Sequence, residues 1–303
     1  ALKSTYETLV ASETDPVERS GIYIKLGQLL RDKLNLPQEA FFAYAQALRD
    51  DLQNEELLST LQVIGGEQSM YAEMVQTYAE IAALDPFSEL GATLSRLRAK
   101  LCENRLQDIA QATEAWEKSL SVDPDHLETL KALSGLYNQQ ERWSDLISIL
   151  ETRVELEADE YELRVLLGEL MVRVHGDARR AIEQWKIVLM DFPQAESAQR
   201  MLETYLSDPE FVNDISLVLE PIYEEQERWE AWVKMNHALL NAVSMDDSVR
   251  REELWTELGQ LYADRLDDEL NALNAYSEAF LINPVELEIR EKLFALVEKK
   301  EAW

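Results

Sequence analysis

Three histidines and one cysteine are the side chains in this chain best suited to nucleophilic, acid–base or metal chemistry, and they stand apart. None of His126, His175 and His237 lies within helical i, i+4 reach of another or of Cys102, whereas a metal site needs several such ligands converging. His126 follows Pro124-Asp125 at an expected helix start, and His175 precedes Gly176 at an expected helix end, where a cation suits the helix dipole. Gly65-Gly66 reads as a helix-ending turn and lacks the Lys-Ser/Thr of a phosphate loop. No nucleophile elbow is present. With 59 acidic residues, paired carboxylates are expected on any solvated helix face, and a general acid needs a pocket that shifts its pKa. No residue is therefore assigned a catalytic, cofactor-binding or metal-binding role, and the chain reads as a non-enzyme.

The elements that would position any site are helices. Apolar residues make up 46% of 303, while 9 Gly and 8 Pro are few for a chain of many strands and turns. Leu, Ala, Glu and Gln are common and are good helix formers, and runs of Val, Ile and Thr are missing. The net charge of −30 comes from 29 basic and 59 acidic residues. Such a surface repels nucleic acid and anionic lipid and favours basic partners. One cysteine forms no internal disulfide, which permits a reducing compartment, so a cytoplasmic location is expected. No run of about 18 apolar residues predicts membrane insertion.

Internal repeats carry the fold reading. Trp255-x2-Leu258-Gly259-x2-Tyr262 leads to Ala272-x3-Tyr276, Ala279 and Pro284. The frame recurs as Tyr23-x2-Leu26-Gly27 with Ala40-x3-Tyr44, as Ala99 with Ala112-x3-Trp116 and Pro124, and as Leu167-Gly168 with Ala181-x3-Trp185 and Pro193. Small residue and following Ala are thirteen apart in all four. This pattern resembles the tetratricopeptide-repeat (TPR) family, in particular its long, divergent bacterial members, but with one residue more in the spacing, which predicts a longer turn between the helices. A divergent unit alternates with the regular one: Leu58, Met74 and Tyr78 stand seventy-two residues before Leu130, Leu146 and Leu150.

The resemblance implies an all-α, right-handed superhelical α-solenoid of antiparallel helix pairs, about 16–17 helices, running as one continuous array over residues 1–303. The small residues Gly27, Ala99, Gly168 and Gly259 are expected to let paired helices approach. The rings of Tyr44, Trp116, Trp185 and Tyr276 are expected to fill the groove against the next pair, and Trp255 opens the clearest copy. Pro124, Pro193 and Pro284 are expected to end second helices. The triplets at Glu141-Arg142-Trp143, Glu227-Arg228-Trp229 and Glu301-Ala302-Trp303 place a Trp at the start of a second helix, packed into the pair junction. Trp143→Ala is then expected to cost about 3–5 kcal/mol. Gly168 to Gly259 exceeds the period by about 20 residues. That predicts an irregular extra helix within 194–226 and a kink or shortening at Pro221. The repeat register begins and stops inside a pair, so the sequence reads as a piece of a longer array whose uncapped ends could self-associate.

Family members hold peptides or partner helices on their first helices. Carried over residue by residue, that points to Gln28, Arg31, Lys100, Lys131, Asn138, Glu169, Arg173, Glu253 and Gln260. A clamp for a C-terminal carboxylate is not expected, because Glu162, Val165 and Glu169 occupy the helix after Lys131 and Asn138. The expected function is a protein-binding scaffold within a bacterial multi-protein assembly, taking a basic or amphipathic segment. The alternative is a regulatory or targeting arm of a larger enzyme.

Overall fold

All regular structure among the described residues is helical. The structure, a computed structural model, describes residues 2–301. Ala1, Ala302 and Trp303 lie outside them, and with Trp303 the last of the three Trp triplets.

Seventeen α-helices among the described residues fall into two compact units divided after Leu156. The first holds α1 (Leu2–Ser12), α2 (Pro16–Gln28), α3 (Pro37–Asp50), α4 (Glu55–Glu67), α5 (Tyr71–Ala82), α6 (Glu89–Leu101), α7 (Ile109–Val122), α8 (Leu127–Gln139) and α9 (Trp143–Leu156). The second holds α10 (Tyr161–Leu170), α11 (Ala178–Asp191), α12 (Glu196–Glu203), α13 (Val212–Glu225), α14 (Trp229–Ala242), α15 (Ser248–Gln260), α16 (Glu269–Ile282) and α17 (Leu287–Glu301). Successive helices pack against one another, among them α2 on α3, α6 on α7, α10 on α11 and α15 on α16. These four are the regular pairs of the sequence pattern.

The extra residue of each regular pair lies inside the first helix, not in the turn where it was expected. Each such helix widens into a π-helical segment at its C-terminus: Leu29–Lys33, Cys102–Leu106, Met171–His175 and Leu261–Arg265. The Leu34 and Leu266 N–H groups donate five residues back, to the Leu29 and Leu261 carbonyls, each at 3.1 Å. One left-handed residue follows each segment: Asn35, Gln107, Gly176 or Asp267. After three of them an aspartate caps the second helix, the Asp108, Asp177 and Asp268 carboxylates accepting from the N–H groups of Gln111, Arg180 and Asn271.

Small residues meet rings within each regular pair. A Cβ added at Gly27, Gly168 or Gly259 would lie 2.8, 2.4 or 2.6 Å from the ring of Tyr44, Trp185 or Tyr276 respectively. Ala99 and Trp116, at the matching positions, are buried. The rings therefore close their own pair, and some reach onward too: Tyr276 clusters with Ile289 and Leu293 of α17, and Trp185 lies 5.9 Å from Tyr205. Gly65 is no turn residue. It sits inside α4, where an added Cβ would come 2.4 Å from the Met74 sulfur, and the left-handed turn falls at Ser69.

The prolines act as the sequence implies at second-helix ends, with α7, α11 and α16 each stopping two residues before Pro124, Pro193 and Pro284. Pro221 does not shorten its helix. α13 runs through it to Glu225, because Pro221 and Leu217, whose carbonyl loses its partner, both face solvent. α12 is the additional helix, eight residues long and packed on α11 and α10. Trp143 and Trp229 begin α9 and α14 as largely but not fully buried residues. Truncating Trp143 thus removes less buried surface than the core role supposed, and the expected cost falls below 3–5 kcal/mol.

Candidate protein-binding groove

The nine residues singled out on first helices all lie on such helices or their π-helical ends, five in the first unit and four in the second. Gln28 and Arg31 are exposed at the end of α2 and just beyond it, and Lys131 and Asn138 are exposed on α8. Glu169, Arg173, Glu253 and Gln260 belong to the second unit, where Glu253 accepts from Arg250 at 2.9 Å. Of the nine, Lys100 borders a well-formed concavity.

That concavity is an open groove of about 600 Å³ between the first helices α4 and α6, floored by α5. Leu97 and Leu101 of α6 and Tyr71 and Met74 of α5 give it apolar surface, while Gln62, Lys100, Asn104 and Arg105 edge it with polar groups. The Lys100 ammonium is held 2.7 Å from Glu128 of α8, so it bridges two neighbouring first helices. The Asn104 amide donates to the Lys100 carbonyl at 3.0 Å, and the Arg105 guanidinium stacks 5.3 Å over the Tyr71 ring. The lining thus mixes apolar side chains with hydrogen-bonding and charged groups.

The reactive side chains are placed elsewhere. Cys102 is fully buried, and burial raises its thiol pKa, which keeps it protonated and unreactive. His126 caps α8, its Nδ1 accepting from the Thr129 N–H at 3.2 Å. His175 ends the π segment after α10 and is exposed. His237 lies 3.2 Å from the Tyr262 hydroxyl, and burial lowers its pKa. No group of three or more His, Cys, Asp or Glu among the described residues could hold a metal ion. No described helix is long and apolar enough to cross a membrane.

Sequence reasoning missed Gln62, Tyr71, Asn104 and Arg105. The first two belong to the divergent unit, where the repeat register is weak, and the other two lie in the π-helical segment. It also missed a repeated three-residue lock. The Tyr137 hydroxyl and the Arg142 guanidinium both donate to one Glu117 oxygen, at 3.0 and 2.8 Å, with Arg142 4.4 Å over the Tyr137 ring. In the second unit Tyr223 and Arg228 do the same to Glu203, at 2.9 and 2.8 Å, with Arg228 4.9 Å over the ring. The Arg of each Glu-Arg-Trp triplet thus ties a turn to the preceding helices, and the short α12 supplies in one unit what α7 supplies in the other.

No family profile and no curated protein matches the chain. Among solved structures, a tetratricopeptide repeat protein from Parabacteroides merdae is 15% identical over 92% of this chain and 98% of its own, with a TM-score of 0.35. YrrB, a TPR protein described as having an unusual peptide-binding site, is 13% identical over 64% of this chain and 95% of its own, at 0.35. A chain of the Naa15/Naa10 complex bound to HypK is 14% identical over 98% of this chain but only 48% of its own, at 0.41. The helix pairs themselves, each regular one closed by a ring over a small residue seventeen positions earlier, give this chain a TPR-type fold.

Proposed function

We propose that this chain is a non-catalytic scaffold that holds a segment of a partner protein against its first helices, in a cytoplasmic, bacterial multi-protein assembly. The observation that carries the reading is the open groove of about 600 Å³ between α4 and α6, lined by apolar side chains together with polar and charged ones. An amphipathic segment fits such a surface, its apolar face meeting Leu97, Leu101 and Tyr71. The net charge of −30 supports a partner that is basic on balance, since opposite charge speeds encounter. The same charge argues against nucleic acid. Both units are taken to belong to one array over residues 1–303, with further contacts along it at Gln28, Arg31, Lys131, Asn138, Glu169, Arg173, Glu253 and Gln260, and self-association through its ends as a further mode.

The test is capture of partners on the immobilised chain, followed by hydrogen exchange of the recovered complex. Binding should slow exchange over Leu97–Arg105, and capture should weaken at high salt as the charge attraction is screened. A complex that leaves exchange in α4 and α6 unchanged sinks the assignment of the groove.

A further inference from the structure

The groove between α4 and α6 continues beyond the stretch that Lys100 borders. On α4 the lining residues Glu55, Leu58, Gln62 and Gly66 recur every three or four positions and so share one face. On α6, Leu90, Thr93, Leu97 and Leu101 do the same. A cavity of about 370 Å³ opens at the N-terminal ends of both helices, and the one of about 600 Å³ lies toward their C-terminal ends. Leu58 and Leu90 give apolar surface to the first, as Leu97 and Leu101 do to the second.

The charged side chains divide between the two ends. Glu55, Asp85 and Glu89 line the first cavity. Against these three carboxylates stands the Arg96 guanidinium, which donates to Thr93 Oγ1 at 2.9 Å and to Ser119 of α7 at 3.4 Å. At the other end the charged lining residues are Lys100 and Arg105. Glu128 answers the Lys100 ammonium at 2.7 Å, while Glu103 and Asp108 accept from Trp116 and Gln111 of α7. The helix dipoles oppose this gradient, with about half a charge at each terminus against whole charges on the side chains. A lysine or arginine therefore meets carboxylates at one end of the groove and other cations at the opposite end.

We propose that the groove takes its partner segment in one orientation, with lysine or arginine side chains at the N-terminal ends of α4 and α6 and apolar side chains running toward Leu97 and Leu101. The proposal rests on the groove as a binding site and adds the polarity of its occupant. From Glu89 to Leu101 is about 18 Å along α6 at about 1.5 Å per residue, a span that about six extended residues cover. The net charge of −30 draws a basic segment in from any side, and the local division of charge sets which way it lies.

The test uses the full chain and a fluorescein-labelled decapeptide with three lysines in one half and three leucines in the other. A photo-reactive benzophenone is placed beside either the lysines or the leucines. Mass spectrometry of the cross-linked chain should place the lysine-side probe on residues 52–58 or 85–93 and the leucine-side probe on residues 97–105. Glu55→Gln combined with Glu89→Gln, both at exposed positions, should weaken binding about fivefold, and should change that of a glutamine-for-lysine peptide by less than about twofold. Reversed or evenly scattered probes, or no binding of the lysine peptide, overturn the orientation and leave the groove to its own exchange test. Cross-links confined to helices other than α4, α5 and α6 overturn both.

Discussion

At Gly168 two local effects oppose each other, and their sizes decide the outcome. Alanine gains about 1 kcal/mol of helix propensity over glycine. Its Cβ would meet the Trp185 ring at 2.4 Å, and overpacking of this kind costs about 1–3 kcal/mol. The ring cannot retreat cheaply, since it is 1% exposed and its Nε1 donates to the Val165 carbonyl at 3.2 Å. Gly168→Ala should therefore lower the urea midpoint, whereas Ala99→Gly should destabilise through lost propensity and lost packing. Equal stability of Gly168→Ala and the parent protein would remove the ring-over-glycine contact as the closure of the pair. Glu257 poses a different choice. Burial raises its pKa, the neighbouring Glu220 raises it further, and Arg250 opposes both. The Asn236 amide and Trp232 indole favour its charged form without making a full hydrogen bond to it. A carboxyl whose pKa is raised on folding supports the fold below its unfolded value, and that support is lost as pH rises through the folded value. Glu257→Gln should thus melt higher than the parent at pH 7, with the gain fading toward about pH 4. A gain that grows on acidification would contradict the burial argument.

Among elements, the alternation of regular and divergent helix pairs was legible because small residues and rings recur at fixed separations along one dimension. The π-helical ends were not, since a segment such as Cys102–Leu106 absorbs a residue without changing polarity or adding a breaker. The site was less legible still: of its polar rim only Lys100 followed from the repeat frame. The locks escaped notice because each gathers one residue from each of three places, Glu117 in α7, Tyr137 in α8 and Arg142 in the turn before α9. Their contribution is open to a double-mutant cycle. In the first lock the Arg142 and Glu117 side chains are 39% and 38% exposed, so a coupling of about 0.5–1 kcal/mol is expected between Glu117→Gln and Arg142→Gln. Arg228 and Glu203 are 35% and 26% exposed, and Arg228 also donates to the Gln199 side-chain amide oxygen Oε1 at 2.8 Å, so the second coupling should be the larger. Additive single-variant effects at both sites would show the locks to be incidental contacts.

For the whole molecule the deciding quantity is the excess of thirty acidic over basic side chains. Salt screens two opposing things at once, the attraction within ion pairs and the repulsion among unpaired carboxylates. The pairs are weak where they are exposed, as in Arg179 with Glu210, whose side chains are 69% and 56% exposed, and such pairs contribute about 0–1 kcal/mol each. The repulsion acts across all the remaining acids and opposes compaction. Screening should therefore stabilise the chain at neutral pH, and the thermal midpoint should rise between about 10 mM and about 200 mM sodium chloride. Near the isoelectric point of about 4.4 the excess charge is gone, so the same salt step should leave the midpoint flat or lower it. A midpoint that falls with salt at pH 7 would mean that ion pairs between helices, not the acidic excess, govern the stability of the chain. It would also weaken the case for charge as the force that draws a partner in, because the same unpaired carboxylates have to supply both effects.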